Sequence, residues 1–173
     1  MTLALTLLLA CGPDAESVAL QLASENPAIR EDSARRARNF DSPLVIEGLI
    51  KSLDDPSEKV RSHAVDSLIA LNAKEAVPRL VLHMSEDSSP LVRRQCIDAV
   101  GRLGDPSAVP ALIALLEAAE AQTPPAPPLN AIWALGELGD MSALAVLSRL
   151  RDSRDPYVAY NANQALRKLR PGT

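Results

Sequence analysis

Residues 60–80 read VRSHAVDSLIALNAKEAVPRL, and residues 92–112, beginning 32 positions later, read VRRQCIDAVGRLGDPSAVPAL. Val, Arg, Asp, Leu, an Ala-Val-Pro triplet and a closing Leu coincide in the two. Working outward, Ile29-Arg30 opens an earlier copy, residues 131–147 (AIWALGELGDMSALAVL) echo residues 96–112, and Val158 opens a last one. The anchors stand at 29, 60, 92, 127 and 158, intervals of 31 to 35 residues. Self-similarity at this period marks an array in which each unit buries its apolar face against its neighbours.

Each copy reads as two helices. The second carries apolar or small residues at the anchor and at +4, +5, +8 and +11, as in Val60, Ala64, Val65, Leu68 and Leu71, which is a helical stripe. Capping residues open it at Asn26-Pro27, Ser57-Glu58, Ser89-Pro90 and Asp155-Pro156. Asn72, Gly104 and Gly139, which tolerate a left-handed cap, close it. First helices start at Ser42-Pro43, Asp105-Pro106 and Asp140-Met141, and the same register places Ala15, Val18, Ala19 and Leu22 on one more. The pattern predicts five helical hairpins, over 14–39, 42–71, 74–103, 106–139 and 141–169.

The composition agrees with an all-α fold. Of 173 residues, 47% are hydrophobic but only 2% aromatic, with 14 Pro and 7 Gly. Small core residues suit closely packed helices, and the shortage of aromatics argues against an all-β fold. A formal charge of −4 recruits no nucleic acid through a global field.

The repeat resembles the HEAT repeat, specifically the short bacterial form grouped with phycobilisome-lyase HEAT-like repeats. Val60-Arg61, Ala64, Leu68 and Leu71 carry the likeness, as do Val92-Arg93, Ala99-Val100-Gly101, Leu103 to Pro106, Ala108 to Pro110 and Leu112. The resemblance covers about residues 26–169. It implies a right-handed α-solenoid whose second helices line the concave face, with Pro78 and Pro110 as prolines inside first helices. The family arginine stands at Arg30, Arg61 and Arg93 but is replaced by Pro128 and Ala159. Some relatives attach bilins to light-harvesting proteins, but no residue here specifies a bilin.

Residues 1–10, MTLALTLLLA, carry no charge and are followed by Cys11-Gly12-Pro13. The run is too short to span a bilayer and suits the apolar core of a signal peptide. Leu8-Leu9-Ala10-Cys11 resembles the lipobox of bacterial lipoproteins, in which the signal is cut before the cysteine and that cysteine is acylated. The resemblance implies a cleaved signal over 1–10, a single solenoid domain over 11–173, and a lipid anchor at Cys11. It places the protein in the bacterial envelope, with Gly12 favouring the outer membrane. The Lys/Arg that normally precedes the apolar run is missing, which leaves open a miscalled start and a cytosolic protein.

The repeat also accounts for residues that look chemical in isolation. Cys96 shares the +4 column with Ser33, Ala64, Ala131 and Ala162, so it is a small buried spacer. His63 and His83 lie on different helices without ligands at metal spacing, so no metal is expected. Neither a phosphate-binding glycine loop nor a GxSxG elbow is present, and no catalytic constellation or cofactor site emerges. The prolines of residues 124–128 (PPAPP) read as a rigid loop in the longest repeat.

With the core columns occupied, the polar columns are left for binding. Asp98, Trp133 and Gln164 stand at +6, Gln95, Asn130 and Asn161 at +3, and Tyr160 at +2. Trp133 is a large aromatic in a column that is otherwise polar. Aromatics beside amides are favoured at protein interfaces, so Trp133, Tyr160, Asn130, Gln164, Asp98 and Gln95 form the candidate partner site. A packing role for Trp133 over the longest repeat is the competing reading. Arg30, Arg35, Arg36 and Arg38 form a second patch, which a lipidated Cys11 would bring to anionic headgroups; a solvated face is its competitor. The sequence thus points to a monomeric, lipid-anchored, non-enzymatic scaffold for an unidentified protein or peptide. An accessory subunit of a lyase-like enzyme is the alternative.

Overall fold

The structure, a computed structural model, describes residues 14–122 and 127–169. Cys11, the signal-like run before it and most of the PPAPP stretch lie outside the described residues. Among those described there are ten α-helices and no strand, the all-α helical-repeat architecture expected from the periodicity. The chain divides into two compact units, one ending at Leu71 and the other beginning at Asn72.

The first unit contains α1 (Ala15–Gln21), α2 (Pro27–Arg36), α3 (Pro43–Ser52) and α4 (Glu58–Ala70). Helix α1 packs on α3 and α2 on α4, so first helices and second helices make separate layers. Val18, Leu22, Val45, Leu49 and Leu53 of the first layer, and Ala34, Val60, Ala64, Val65 and Leu68 of the second, are buried. Full burial of each such Leu or Val is worth about 1.5–3 kcal/mol, which is what holds weakly helical segments in place. Ser67 Oγ donates to the Ala34 carbonyl at 2.6 Å and ties α4 to α2. Ile29 departs from its column: it remains 41% exposed, whereas Val60 and Val92 are fully buried.

The second unit contains α5 (Val77–Glu86), α6 (Pro90–Leu103), α7 (Val109–Glu120), α8 (Leu129–Leu138), α9 (Leu144–Arg151) and α10 (Pro156–Lys168). The second helices α6, α8 and α10 pack in succession, and α5, α7 and α9 pack against them in turn. Cys96 is fully buried in its column together with Ala131 and Ala162.

Most of the expected punctuation is in place. Asn26, Ser89 and Asp155 accept hydrogen bonds from the first turns of α2, α6 and α10. Asn72, Gly104 and Gly139 have φ of 52°, 68° and 68°, the left-handed termini that the sequence predicts. Two details differ. Single 3-10 turns at Lys74–Ala76, Pro106–Ala108 and Met141–Ala143 precede α5, α7 and α9, so those α-helices begin three residues later than the cap signals suggest. Pro78 and Pro110 therefore lie in the first turn of α5 and α7 rather than inside them. The α-helix leaves a first-turn N–H unpaired, so proline is tolerated there.

Candidate functional site

The candidate residues lie on the successive second helices of the second unit. Asn130 opens the ridge: its amide Nδ2 donates to Asp98 Oδ1 and to the Arg94 carbonyl, both at 3.1 Å. This bond clamps the first turn of α8 to α6 and occupies the amide and one carboxylate oxygen of the candidate set. One face further along, Lys168 of α10 pairs with Glu137 of α8. Two side-chain bridges thus run across α6, α8 and α10.

Trp133 lies between them and is half-buried. A methyl group built on Gly101 of α6 would stand 2.8 Å from Trp133 Cζ3 and 2.9 Å from Ala134 Cβ. The indole therefore lies directly over the bare glycine backbone, and its column exception is explained by the glycine across from it. The same device recurs one step on, where a Cβ at Gly136 of α8 would stand 2.8 Å from the Ala165 Cα of α10. Glycine on one second helix and alanine on the next permit the close approach, a packing logic that aromatic-poor sequences allow.

The exposed part of the candidate set is on α10. Tyr160 is 63% exposed and Gln164 half-buried, while Tyr157, which the column analysis passed over, is 72% exposed. Asn163 and Arg167 are also exposed and were likewise missed. The signal for them was available. The +5 column holds Ile97 and Ile132, both buried, and then Asn163. The +9 column runs Arg38, Ile69, then Gly101 and Gly136, both against the following helix, and Arg167. The break in the +5 column, where Asn163 replaces isoleucine, marks this face.

In the first unit the arginine patch is largely committed to its own neighbours. Arg30 Nε and Nη2 donate to Asp55 at 2.5 and 3.1 Å, and Nη1 donates to the Ser24 carbonyl at 2.8 Å. The hydrogen bond to Asp55 raises the Arg30 pKa above its already high value and fixes the cation as a structural strut. Arg35 and Arg36 both pair with Asp32, and Arg36 also donates to Gln21. Arg38 is exposed.

Apart from Glu47, whose hydrogen bond to Lys51 holds it below the usual range, the described carboxylates with lowered pKa values belong to caps. The Ser17, Ser107 and Ser142 backbone N–H groups donate to Asp14, Asp105 and Asp140, and these bonds hold the carboxyls below their usual range. His83 Nδ1 is 3.2 Å from the buried Asp87 carboxylate, and that same carboxylate accepts the Ser89 N–H. Among the described residues no three His, Cys, Asp or Glu side chains cluster as metal ligands. No described helix is long and apolar enough to cross a membrane.

Comparison with known proteins places this geometry. Residues 46–123 match the model for HEAT repeats, and residues 128–153 match the model for the PBS lyase HEAT-like repeat. No curated protein matches the chain in sequence. Among solved structures, it superposes on the complex of CpcE and CpcF of phycocyanin lyase from Nostoc sp. PCC7120 with a TM-score of 0.74 and 23% identity. That match covers 93% of this chain but only 66% of the other, so the chain spans just under two thirds of its neighbour's length. A designed armadillo repeat protein in complex with the peptide (KR)4 is similar at a TM-score of 0.62 and 20% identity, covering 90% of this chain and 82% of that one. At these identities the likeness is one of fold. Residues 46–123 of this chain carry HEAT repeats and residues 128–153 a PBS lyase HEAT-like repeat, within a helical-repeat fold that spans the described chain.

Proposed function

We propose that this protein is a non-enzymatic HEAT-repeat scaffold that binds another protein or peptide through the second helices of its last two hairpins. One observation carries the reading: α10 holds two tyrosines, 72% and 63% exposed, on a rigid helix whose opposite face is fully packed. Tyrosine with amides on a preorganised support loses little conformational entropy on binding, the property shared by interface hot spots. Trp133 and Asn130 hold α8 to α6 and so support that surface, and Gln164 stands beside Tyr160 on α10. Neighbouring folds that were solved in complex with a second protein or with a peptide support a binding role.

The lipobox-like Leu8-Leu9-Ala10-Cys11 supports attachment to the bacterial envelope through acylated Cys11, with the outer membrane favoured. Crosslinked capture from envelope fractions tests the scaffold. Wild-type protein should retain a partner that a Tyr160→Ala, Gln164→Ala variant loses without loss of helicity. Equal capture by both would overturn the assigned surface. Radiolabelled palmitate should enter the wild type and not Cys11→Ser; a wild-type protein that takes up none has no such anchor.

A second reading is favoured by the resemblance to the lyase complex. There the chain would serve as an accessory subunit of a lyase-like enzyme, and tetrapyrrole binding by the purified protein would establish it over the scaffold.

A further inference from the structure

We propose that the outward face of α10 docks an acidic segment of a partner protein, an inference that rests on the scaffold reading and adds the chemistry of its ligand. Three observations meet on this face. The first is column chemistry. Ile97 and Ile132 are buried at +5, and Gly101 and Gly136 at +9 admit the next helix; α10 has Asn163 and Arg167 at the same two places, both exposed. A further repeat stacked as α8 and α10 are would press on an amide where Ile97 and Ile132 stand in the two preceding second helices, and on a guanidinium where Gly101 and Gly136 stand, at the cost of stripping both of water. The face therefore suits solvent or a polar partner.

The second observation is charge. Residues 156–168, PYVAYNANQALRK, contain two cations and no acid in a chain whose formal charge is −4. Lys168 is paired with Glu137, whereas Arg167 on the helix and Arg154 in the turn before it are exposed and make no ion pair among the described residues. Asp155, the nearest acid in sequence, caps the Tyr157 and Val158 N–H groups at the start of α10, twelve residues before Arg167.

The third is aromatic content. On a helical projection Tyr157 and Tyr160 flank the same side as Arg167 and Gln164, and both rings are mostly exposed. The Arg167 guanidinium with two tyrosines offers a bidentate donor to a carboxylate and flat apolar area for its stem, and Arg154 in the turn before the helix adds positive charge near its start, a combination suited to an acidic peptide and unsuited to a basic one.

The test titrates the full chain with a fluorescein-labelled octapeptide of alternating Asp and Glu, with an alternating Lys-Arg octapeptide as its counterpart. The acidic peptide should bind, weaken with added salt, and lose about tenfold or more in affinity in the Arg154→Glu, Arg167→Glu double variant and in Tyr160→Ala. Tyr160→Phe should keep most of the affinity. All the substituted side chains are exposed, so each variant should keep its helicity and a cooperative melt, with only the small loss expected from reversing the Arg167 charge at the end of α10, which separates a lost surface from a lost fold.

Unchanged acidic-peptide affinity in the double variant would overturn the inference. So would preference for the Lys-Arg peptide. Binding of phosphatidylglycerol vesicles through these residues without peptide binding would assign the face to lipid instead. Failure here is distinguishable from failure of the scaffold. If the double variant still captures the same envelope partner, this inference falls and the scaffold stands. If wild type captures nothing, the scaffold falls, while the titration still decides the face.

Discussion

Placing a methyl group at Gly136 isolates the contact that joins α8 to α10. The added Cβ would stand 2.8 Å from the Ala165 Cα and 2.9 Å from its Cβ, against about 3.5–4.0 Å for relaxed carbon contacts. The obstructing atoms are backbone and a side-chain methyl, so no rotamer change relieves them; α10 itself has to retreat. Overpacking of this kind costs about 1–3 kcal/mol. Against it stands the intrinsic gain of about 1 kcal/mol when alanine replaces glycine inside a helix. The balance for Gly136→Ala is a net loss of up to about 2 kcal/mol, and a protein of this size loses about 2–4 °C in Tm per kcal/mol.

Gly48→Ala is the matched control. There the nearest atom is the Leu22 Cδ1 tip at 2.8 Å, with the rest of that side chain at 3.6 Å or more, and the site is half-exposed. The leucine can turn aside, so helix propensity wins and stability should stay level or rise by up to about 1 kcal/mol. Urea unfolding followed by far-UV circular dichroism reads both. The reasoning is refuted if the two alanine variants shift stability in the same direction by the same amount.

Three further outcomes follow from the packing and the caps. Trp133→Ala should lower stability by about 1–3 kcal/mol, less than for a fully buried tryptophan, because the indole is half-exposed over Gly101; thermal melting checks it. Asp105→Asn should flatten the acid limb of stability. The folded pKa is depressed, chiefly by the Ser107 N–H bond, so the carboxylate stabilises the fold above about pH 4 and loses that contribution as pH falls through the depressed value; melts across pH 2 to 6 read it. Arg30→Ala should destabilise the first unit, because the buried Asp55 carboxylate then loses its bidentate partner; Asp55→Asn with Arg30→Ala should recover part of the loss in denaturant unfolding.

The repeat was open to reading because its physical cause is periodic. Helices α4 and α6 bury the anchor, +4 and +8 positions, so Val60, Ala64 and Leu68 recur as Val92, Cys96 and Val100. Caps such as Asn26 and Asp155 and left-handed stops such as Gly104 are local and equally readable. The 3-10 turns before α5, α7 and α9 were not, since the signals for a 3-10 and an α-helical first turn are the same. The candidate surface was read in part. Tyr160 and Gln164 stand on it, Asn130 and Trp133 proved to hold the ridge together, and Tyr157, Asn163 and Arg167 were overlooked.

What the amino-acid order determined by itself was therefore the architecture: helices, their pairing, and which columns are core. A period of about 31 residues with small spacers permits little else. Which exceptions are free and which are engaged was decided only by tertiary structure. Trp133 stands out in its column because a glycine on the neighbouring helix leaves room for it, and that glycine is 32 residues away in the chain. Arg30 looks like an exposed cation until Asp55, 25 residues on, is brought to 2.5 Å. Exposure depends on what lies opposite, and what lies opposite is supplied by the next helix in space.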